Sequence, residues 1–177
     1  MQRYKFSGHR FPTYLDTIYD PEMDKGLIED IEKQGDRQNH QTNVKSQMTN
    51  WLMVTPAFNT LKDIVLEKAA KANEECYQRT LNMEMRNIWG MKGKSGEYVW
   101  EHDHWPAIWS FVYYVDVPKD APGIIIENGR IDIQSKMLIL FPGYVRHKVE
   151  QKEYEGFRYC CSGNIHECIK NPHPHDY

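Results

Sequence analysis

Two histidines that are separated by one residue, His102 and His104, are the clearest candidates for chemistry in this sequence. They lie in the segment 97–105, whose composition predicts a β-strand. Side chains at positions i and i+2 of a strand point to the same face, about 6.6 Å apart, so both imidazoles can reach one metal ion. Asp103 then faces away and becomes a ligand only if a β-bulge turns it inward. The competing interpretation is a surface strand that carries two histidines by chance.

A third metal ligand has to come from a distant strand, and His147 is the candidate. It begins a predicted strand just after the turn signal at residues 141–143, so a folded sheet can bring it beside the other two histidines. Three imidazoles leave three open positions on an octahedral metal. Non-haem iron needs this arrangement to hold a chelating co-substrate and dioxygen together. Taken alone, a histidine at this position is more typical of a cap or a solvent-facing side chain.

Arg158 lies eleven residues after His147 and is followed at alternating positions by Cys160, Ser162 and Asn164. An arginine on the inward face of a strand brings a permanent charge into an apolar interior. It is stable there only if it meets an anion, and its planar fork suits a carboxylate. The alternative is a surface arginine that pairs with a neighbouring glutamate such as Glu155.

Two further groups of residues have open interpretations. Trp100, Trp105 and Trp109 form either an aromatic wall around a substrate or part of the core, because tryptophan is common in both places. His173 and His175 suggest a metal site, but a proline-rich terminus is more typical of a disordered tail.

Composition limits the classes of protein that fit. The chain has 177 residues, a formal charge of −3 and no basic run longer than a pair, so we expect one domain and no nucleic-acid partner. No stretch approaches the roughly 18 apolar residues of a membrane span, and residues 1–10 have no apolar core of a signal peptide. The four cysteines show no metal-binding spacing, which predicts reduced thiols in a cytoplasmic protein.

The elements that must position these residues fall into two parts. Asp20 and Pro21 predict the start of a helix that ends at Gly35, and the pattern at residues 60–63 predicts a capping box that opens the longest helix. After about Met83 the apolar period changes to two, which predicts strands at 85–91, 97–105, 109–117, 123–127, 130–133, 136–141, 147–151 and 157–162. Many short strands after a helical segment predict a mainly β fold with α, a double-sheet jelly roll with the helices packed on one sheet.

Several of these motifs occur together in a known order: His102-x-His104-x-Pro106, residues 110–114 (Ser-Phe-Val-Tyr-Tyr), residues 140–142 (Leu-Phe-Pro), His147 and Arg158. Between residues 97 and 164 the sequence resembles the Fe(II)/2-oxoglutarate-dependent oxygenases, in particular a prolyl-hydroxylase-related group of bacteria and phages. Weaker matches lie at residues 11–13 and 42–44. The resemblance implies a double-stranded β-helix, a cupin-like jelly roll. It also implies one oxygenase domain over 1–177, with a helical lead-in and support at 1–84, a β-helix core at 85–165 and a tail at 166–177.

The resemblance also implies roles for individual residues. His102, His104 and His147 would hold Fe(II), while Arg158 and Tyr114 would bind the distal carboxylate of the co-substrate 2-oxoglutarate, with dioxygen as the second co-substrate. No side chain is expected to act as a general base. The implied substrate is a peptide or a small molecule, and a peptidyl proline is one candidate for hydroxylation.

The sequence departs from the family at two positions. His104 stands where most relatives carry Asp or Glu, which leaves a divalent metal at +2 instead of +1. Many relatives have a hydroxyl residue two positions after the arginine, and here that residue is Cys160. Two alternatives therefore stay open: a three-histidine cupin-like dioxygenase or zinc hydrolase without 2-oxoglutarate, and a non-catalytic jelly-roll binding module. The oligomeric state is undetermined.

Overall fold

Two antiparallel β-sheets and two N-terminal helices form the structure, a computed structural model that describes residues 1–4 and 11–168. His173 and His175, and with them the predicted tail beyond 168, lie outside the described residues. The helices are α1 (Pro21–Gln34) and α2 (Pro56–Tyr77). The larger sheet has the strand order β1 (Gln2–Tyr4), β2 (Thr13–Thr17), β9 (Met137–Pro142), β6 (Trp109–Asp116), β11 (Arg158–Glu167), β4 (Met83–Gly93) and β3 (Gln47–Met48). The smaller sheet has the order β5 (Val99–His102), β10 (His147–Val149), β7 (Ile124–Ile126) and β8 (Gly129–Ile131).

The larger sheet is buried on both faces, and strand β6 shows how. Tyr113 and Val115 belong to the core between this sheet and the helices, whereas Val112 and Tyr114 belong to the core between the two sheets. Successive side chains of a strand point to opposite faces, so one strand supplies both cores. Cys160 and Cys161 divide between the two cores in the same way, and both thiols are free.

The helices cover the outer face of the larger sheet with apolar stripes. Met23, Leu27 and Ile31 recur at helical spacing along α1 and are buried there. Asp20 caps this helix by accepting a hydrogen bond from the Met23 amide at 3.0 Å, and Gly35 ends it with a positive φ of 62°. Within the described part of the chain, neither helix combines the length and apolar character that crossing a membrane requires.

One buried polar group joins helix α1 to the larger sheet. The Tyr113 hydroxyl donates a hydrogen bond to Asp24 Oδ1 at 2.7 Å, and Lys136 Nζ lies 2.7 Å from Asp24 Oδ2. Asp24 is 3% exposed, so the hydrogen bond from Tyr113 and the ion pair with Lys136 compensate the cost of burying this carboxyl group.

The sequence predicted a mainly β protein with helices on one sheet, and the structure confirms this, including all eight predicted strands. The boundaries differ by a few residues, most of all at β11, which continues to Glu167 instead of ending at 162. The longer strand is explained by its central place, because it pairs along its length with β4 on one side and β6 on the other.

Two details of the N-terminal prediction were wrong. The longest helix begins at Pro56 with Thr55 as its N-cap, whereas Thr60 lies inside the helix and its hydroxyl donates to the Pro56 carbonyl at 3.1 Å. The segment 1–84 also supplies the strands β1 and β2 at one edge of the larger sheet, which were not predicted. β1 has only three residues, and β2 reads Thr-Tyr-Leu-Asp-Thr, in which apolar and polar residues do not alternate.

Candidate metal and co-substrate site

The three predicted histidines converge at one end of the space between the sheets. His102 is the last residue of β5 and lies opposite His147, the first residue of β10, in the antiparallel register. The ring centroids are 4.3 Å apart for this pair and 4.9 Å from His104 to either partner. One potential ligand atom from each of the three residues lies within 4.8 Å of the others.

His104 reaches the group by a different route from the one predicted. Strand β5 ends at His102, so His104 lies in the following turn and not on the same strand face. Its amide donates to the Gly143 carbonyl at 2.6 Å, which holds the turn against the loop that precedes β10. Pro106 lacks a backbone N–H and cannot continue the ladder, and this favours the early end of the strand. Asp103 is exposed, and its carboxylate accepts from the Trp105 amide at 3.1 Å, so it faces away from the histidines.

Hydrogen bonds fix the tautomer of two of the rings. His102 Nδ1 lies 2.7 Å from the Trp100 carbonyl oxygen, and His147 Nδ1 lies 3.1 Å from the Val145 carbonyl oxygen. A carbonyl only accepts, so each Nδ1 carries the hydrogen and donates it. Each Nε2 is left with a free lone pair, which is the form in which histidine binds metals.

Burial keeps the three imidazoles neutral. It lowers the pKa of His104 to about 4 and lowers the pKa of His102 as well. The pKa of His147 lies well below its ordinary value, first because the ring is buried and second because the other two histidines lie beside it. A metal ion therefore meets three unprotonated nitrogen ligands at neutral pH without having to displace a proton from any of them.

Arg158 lines the same cavity as the three histidines and is only 4% exposed. Its Nη1 donates a long hydrogen bond of 3.3 Å to the Pro122 carbonyl, and its Nε has no hydrogen-bond partner among the described residues. No carboxylate in the described ranges 1–4 and 11–168 forms an ion pair with it, so the pairing with Glu155 that the sequence left open does not occur. A buried guanidinium in this state is expected to attract an anion.

Tyr114 and Cys160 lie beside Arg158 on the cavity wall. They are register partners on β6 and β11, and both are buried. Burial raises the pKa of the Tyr114 hydroxyl and of the Cys160 thiol, so both keep their hydrogens at neutral pH. Ser162 also lines the cavity, whereas Asn164 lies farther along β11 and accepts a hydrogen bond from Ser110 at 2.8 Å.

The structure adds wall residues that the sequence did not single out, among them Trp89 and Met91 of β4. Trp89 is 3% exposed and its ring centroid lies 6.2 Å from that of His104. Trp51 covers Trp89 from outside at a centroid distance of 5.0 Å. The positions 89 and 91 share one face of their strand, and that alternation is the only sequence signal that could have indicated them.

The three tryptophans whose role was open divide between two places. Trp109 is fully buried in the core under the helices. Trp100 and Trp105 are 56% and 75% exposed. Both exposed tryptophans lie next to the three histidines. The Trp100 carbonyl oxygen accepts a hydrogen bond from His102, and Trp105 directly follows His104 in the chain.

Comparison of the structure with solved structures finds several similar enzymes. A prolyl-4-hydroxylase from Pseudomonas putida matches with a TM-score of 0.67 at 11% identity, over 88% of this chain and 92% of that one. HygX from Streptomyces hygroscopicus, solved with nickel, 2-oxoglutarate and hygromycin B bound, matches with a TM-score of 0.66 at 8% identity, over 90% of this chain and 83% of that one. A prolyl hydroxylase from Trichoplax adhaerens, in complex with a peptide fragment of the hypoxia inducible factor oxygen degradation domain, matches with a TM-score of 0.65 at 14% identity, over 88% and 83%.

At identities this low the likeness establishes a shared fold and no more. No family model matches the sequence, and no curated protein matches it significantly. Any conclusion about activity therefore depends on the residues of the cavity itself.

Proposed function

We propose that this protein is an Fe(II)- and 2-oxoglutarate-dependent oxygenase on a double-stranded β-helix, a jelly roll that forms a single domain. One observation supports this most strongly. Three neutral imidazoles and a buried guanidinium with no carboxylate partner in the described chain line one cavity between the two sheets. The fold shared with 2-oxoglutarate-binding enzymes agrees with this proposal.

The donor set fits iron. His102, His104 and His147 would hold the ion through ring nitrogens that are already unprotonated, and imidazole is a suitable ligand for iron. Three neutral ligands leave the charge of the divalent ion uncompensated, so a dianionic co-substrate is favoured beside it. Fe(II) and 2-oxoglutarate, when bound, supply the activation of dioxygen that hydroxylation of an unactivated C–H bond requires.

The chain would contribute binding, orientation and exclusion of water. Arg158 would bind the distal carboxylate of 2-oxoglutarate through its fork, and the neutral Tyr114 hydroxyl would donate to the same group. Both side chains are buried, so the carboxylate would be bound away from bulk water, where charge-assisted hydrogen bonds are stronger. The remaining wall is largely apolar, with residues such as Ile124, Phe141 and Met91. No side chain has to act as a general base.

The substrate would approach past the exposed tryptophans. Trp100 and Trp105 lie beside the metal-binding histidines and present large apolar surfaces to solvent, as residues that contact a substrate do. The similar enzymes bind a peptide in one case and hygromycin B in another, so both a peptide and a small molecule fit the proposal. We place the protein in the cytoplasm on the basis of its composition.

Anaerobic titration tests this proposal directly. The Fe(II)-loaded protein should develop a visible charge-transfer band as 2-oxoglutarate is added, and it should release succinate when air is admitted. His147→Ala should lose the band and the succinate together, because it removes one of the three nitrogen ligands. A protein that binds metal without any response to 2-oxoglutarate would instead be a three-histidine metalloenzyme of another kind. Failure to bind metal would indicate a non-catalytic binding module.

A further inference from the structure

Arg158, Gly93 and Ser46 lie in one row of the larger sheet, with Ser46 as the residue immediately before β3. Gly93 of β4 is the register partner of Arg158 on β11. On the other side Gln47 pairs with Lys92, which places Ser46 next to Gly93. Side chains in one row of a sheet project from the same face. Met48 of β3, two residues after Ser46, belongs to the core between the two sheets, which places Ser46 on the face from which Arg158 projects.

The glycine in the middle of this row opens a space between the two side chains. A Cβ at position 93 would lie 3.4 Å from Ser46 Oγ and 3.4 Å from Arg158 Nη2. The hydroxyl and the guanidinium thus border the same small volume, and no side chain of the intervening strand separates them.

Two buried polar atoms beside this space, one on Ser46 and one on Arg158, have no hydrogen-bond partner among the described residues. Ser46 is 1% exposed, and its Oγ has no hydrogen-bond partner among the residues that the structure describes. The same is true of Arg158 Nε. Buried polar atoms are nearly always hydrogen-bonded, so two adjacent exceptions indicate a missing acceptor between them.

We propose that Ser46 is a co-substrate-binding residue whose hydroxyl donates a hydrogen bond to the carboxylate that Arg158 binds. This inference rests on the proposed function and assigns a residue of this chain to the distal carboxylate of 2-oxoglutarate. A carboxylate offers about four acceptor positions, so one hydroxyl can be added to the arginine fork and the Tyr114 hydroxyl. Cys160 occupies the position where the resemblance leads one to expect a hydroxyl residue, and a thiol is only a weak donor. Ser46, the residue immediately before β3, would supply a hydroxyl here.

Replacing Ser46 with alanine separates this role from a structural one. The hydroxyl makes no hydrogen bond within the described protein, so its removal should leave the unfolding free energy of the ligand-free protein unchanged. The same change should raise the dissociation constant of 2-oxoglutarate about tenfold, the effect of one hydrogen bond to a charged group at the lower end of its range. Pyruvate, which has the keto acid but no distal carboxylate, should bind both proteins equally.

Ser110→Ala is the matched control. Ser110 is a buried serine of the same sheet, but its hydroxyl already donates to Asn164 at 2.8 Å. Its replacement should lower the unfolding free energy and leave the affinity for 2-oxoglutarate unchanged, which is the reverse of the pattern expected for Ser46→Ala.

The measurement is calorimetric titration of Ni(II)-loaded protein with 2-oxoglutarate and with pyruvate, together with urea unfolding of each metal-free variant. The expected result is weaker 2-oxoglutarate binding by Ser46→Ala alone. If Ser46→Ala binds 2-oxoglutarate as tightly as the unaltered protein, or binds pyruvate more weakly by the same factor, the assignment of Ser46 is wrong while the proposed function stands. If the unaltered protein does not bind 2-oxoglutarate, both fail together.

Discussion

Replacing Arg158 with methionine removes the guanidinium but keeps a linear side chain of similar length. In the structure this guanidinium is 4% exposed, and its one hydrogen bond to the described protein is the long contact of 3.3 Å to the Pro122 carbonyl. The free protein therefore holds a buried charge without a carboxylate partner in its described residues. The bound protein, by contrast, would use the same charge to hold 2-oxoglutarate.

These two states lead us to expect opposite effects on binding and on stability. A hydrogen bond to a charged group contributes about 1.5–3 kcal/mol, so loss of the fork should raise the dissociation constant of 2-oxoglutarate by about one to two orders of magnitude. An uncompensated buried charge is unfavourable, and replacing buried charged groups by apolar ones of similar volume can stabilise a protein by about 1–4 kcal/mol. Arg158→Met should therefore bind 2-oxoglutarate poorly and unfold at a higher urea concentration.

The assay has two parts, titration of 2-oxoglutarate into anaerobic Fe(II)-loaded protein and urea unfolding of metal-free protein. Arg158→Lys serves as the conservative variant. It should recover only part of the affinity, because an ammonium group cannot form the bidentate contact. Iron binding should change little in either variant, since Arg158 is not among the grouped histidines. Unchanged 2-oxoglutarate affinity in Arg158→Met would refute the reasoning and place the carboxylate elsewhere in the cavity.

Three further predictions concern the metal ligands, acid stability and the buried polar group. His104→Ala should weaken Ni(II) binding, measured by calorimetry, by more than about tenfold. Asp103→Ala should leave Ni(II) binding unchanged, because the Asp103 carboxylate faces solvent. The reverse result would make Asp103 the ligand. The metal-free protein should lose stability as the pH falls from 6.5 towards about 4, because the unfolded chain takes up protons on histidines that the folded chain keeps neutral. The unfolding free energy should fall by up to about 1.4 kcal/mol per pH unit for each such proton. In urea unfolding, His104→Gln should show a smaller dependence on pH than the unaltered protein. An identical dependence would contradict the burial argument. Tyr113→Phe leaves Asp24 with one partner fewer and should lower the unfolding free energy by about 1–3 kcal/mol, with an unchanged urea midpoint as the contrary outcome.

The sequence predicted the β region well because its strands are long or regularly spaced. β6 has eight residues and β9 has six, and turn residues separate most of the predicted strands. It also predicted helix α1 to the residue, since the Asp20 cap and the Gly35 stop are local signals. Strands β1 and β3 have three and two residues and lack the flanking turn signals that delimit the equally short β7, β8 and β10.

The start of α2 shows how two local signals can compete. The pattern at Thr60 resembles a capping box, but Thr55 followed by Pro56 also satisfies the rules for a helix start. The structure uses the earlier one, which adds Phe58 to the buried face of the helix. Burial of a large apolar side chain decides between starts that are locally similar.

For the candidate site, the sequence indicated which residues are candidates for chemistry, and the tertiary structure decided how they meet. The histidine pair, the later histidine and the arginine stood out by residue type, spacing and resemblance. Contacts between residues far apart in the chain decide three features of the site. They hold the turn that contains His104, they bury the imidazoles and keep them neutral, and they form the space beside Gly93. Ser46 carries no local signal at all, because its significance comes from an unpaired hydroxyl next to a guanidinium more than a hundred positions away in the sequence. Periodicity and capping report on neighbours along the chain, whereas burial and hydrogen-bond satisfaction are properties of the folded interior.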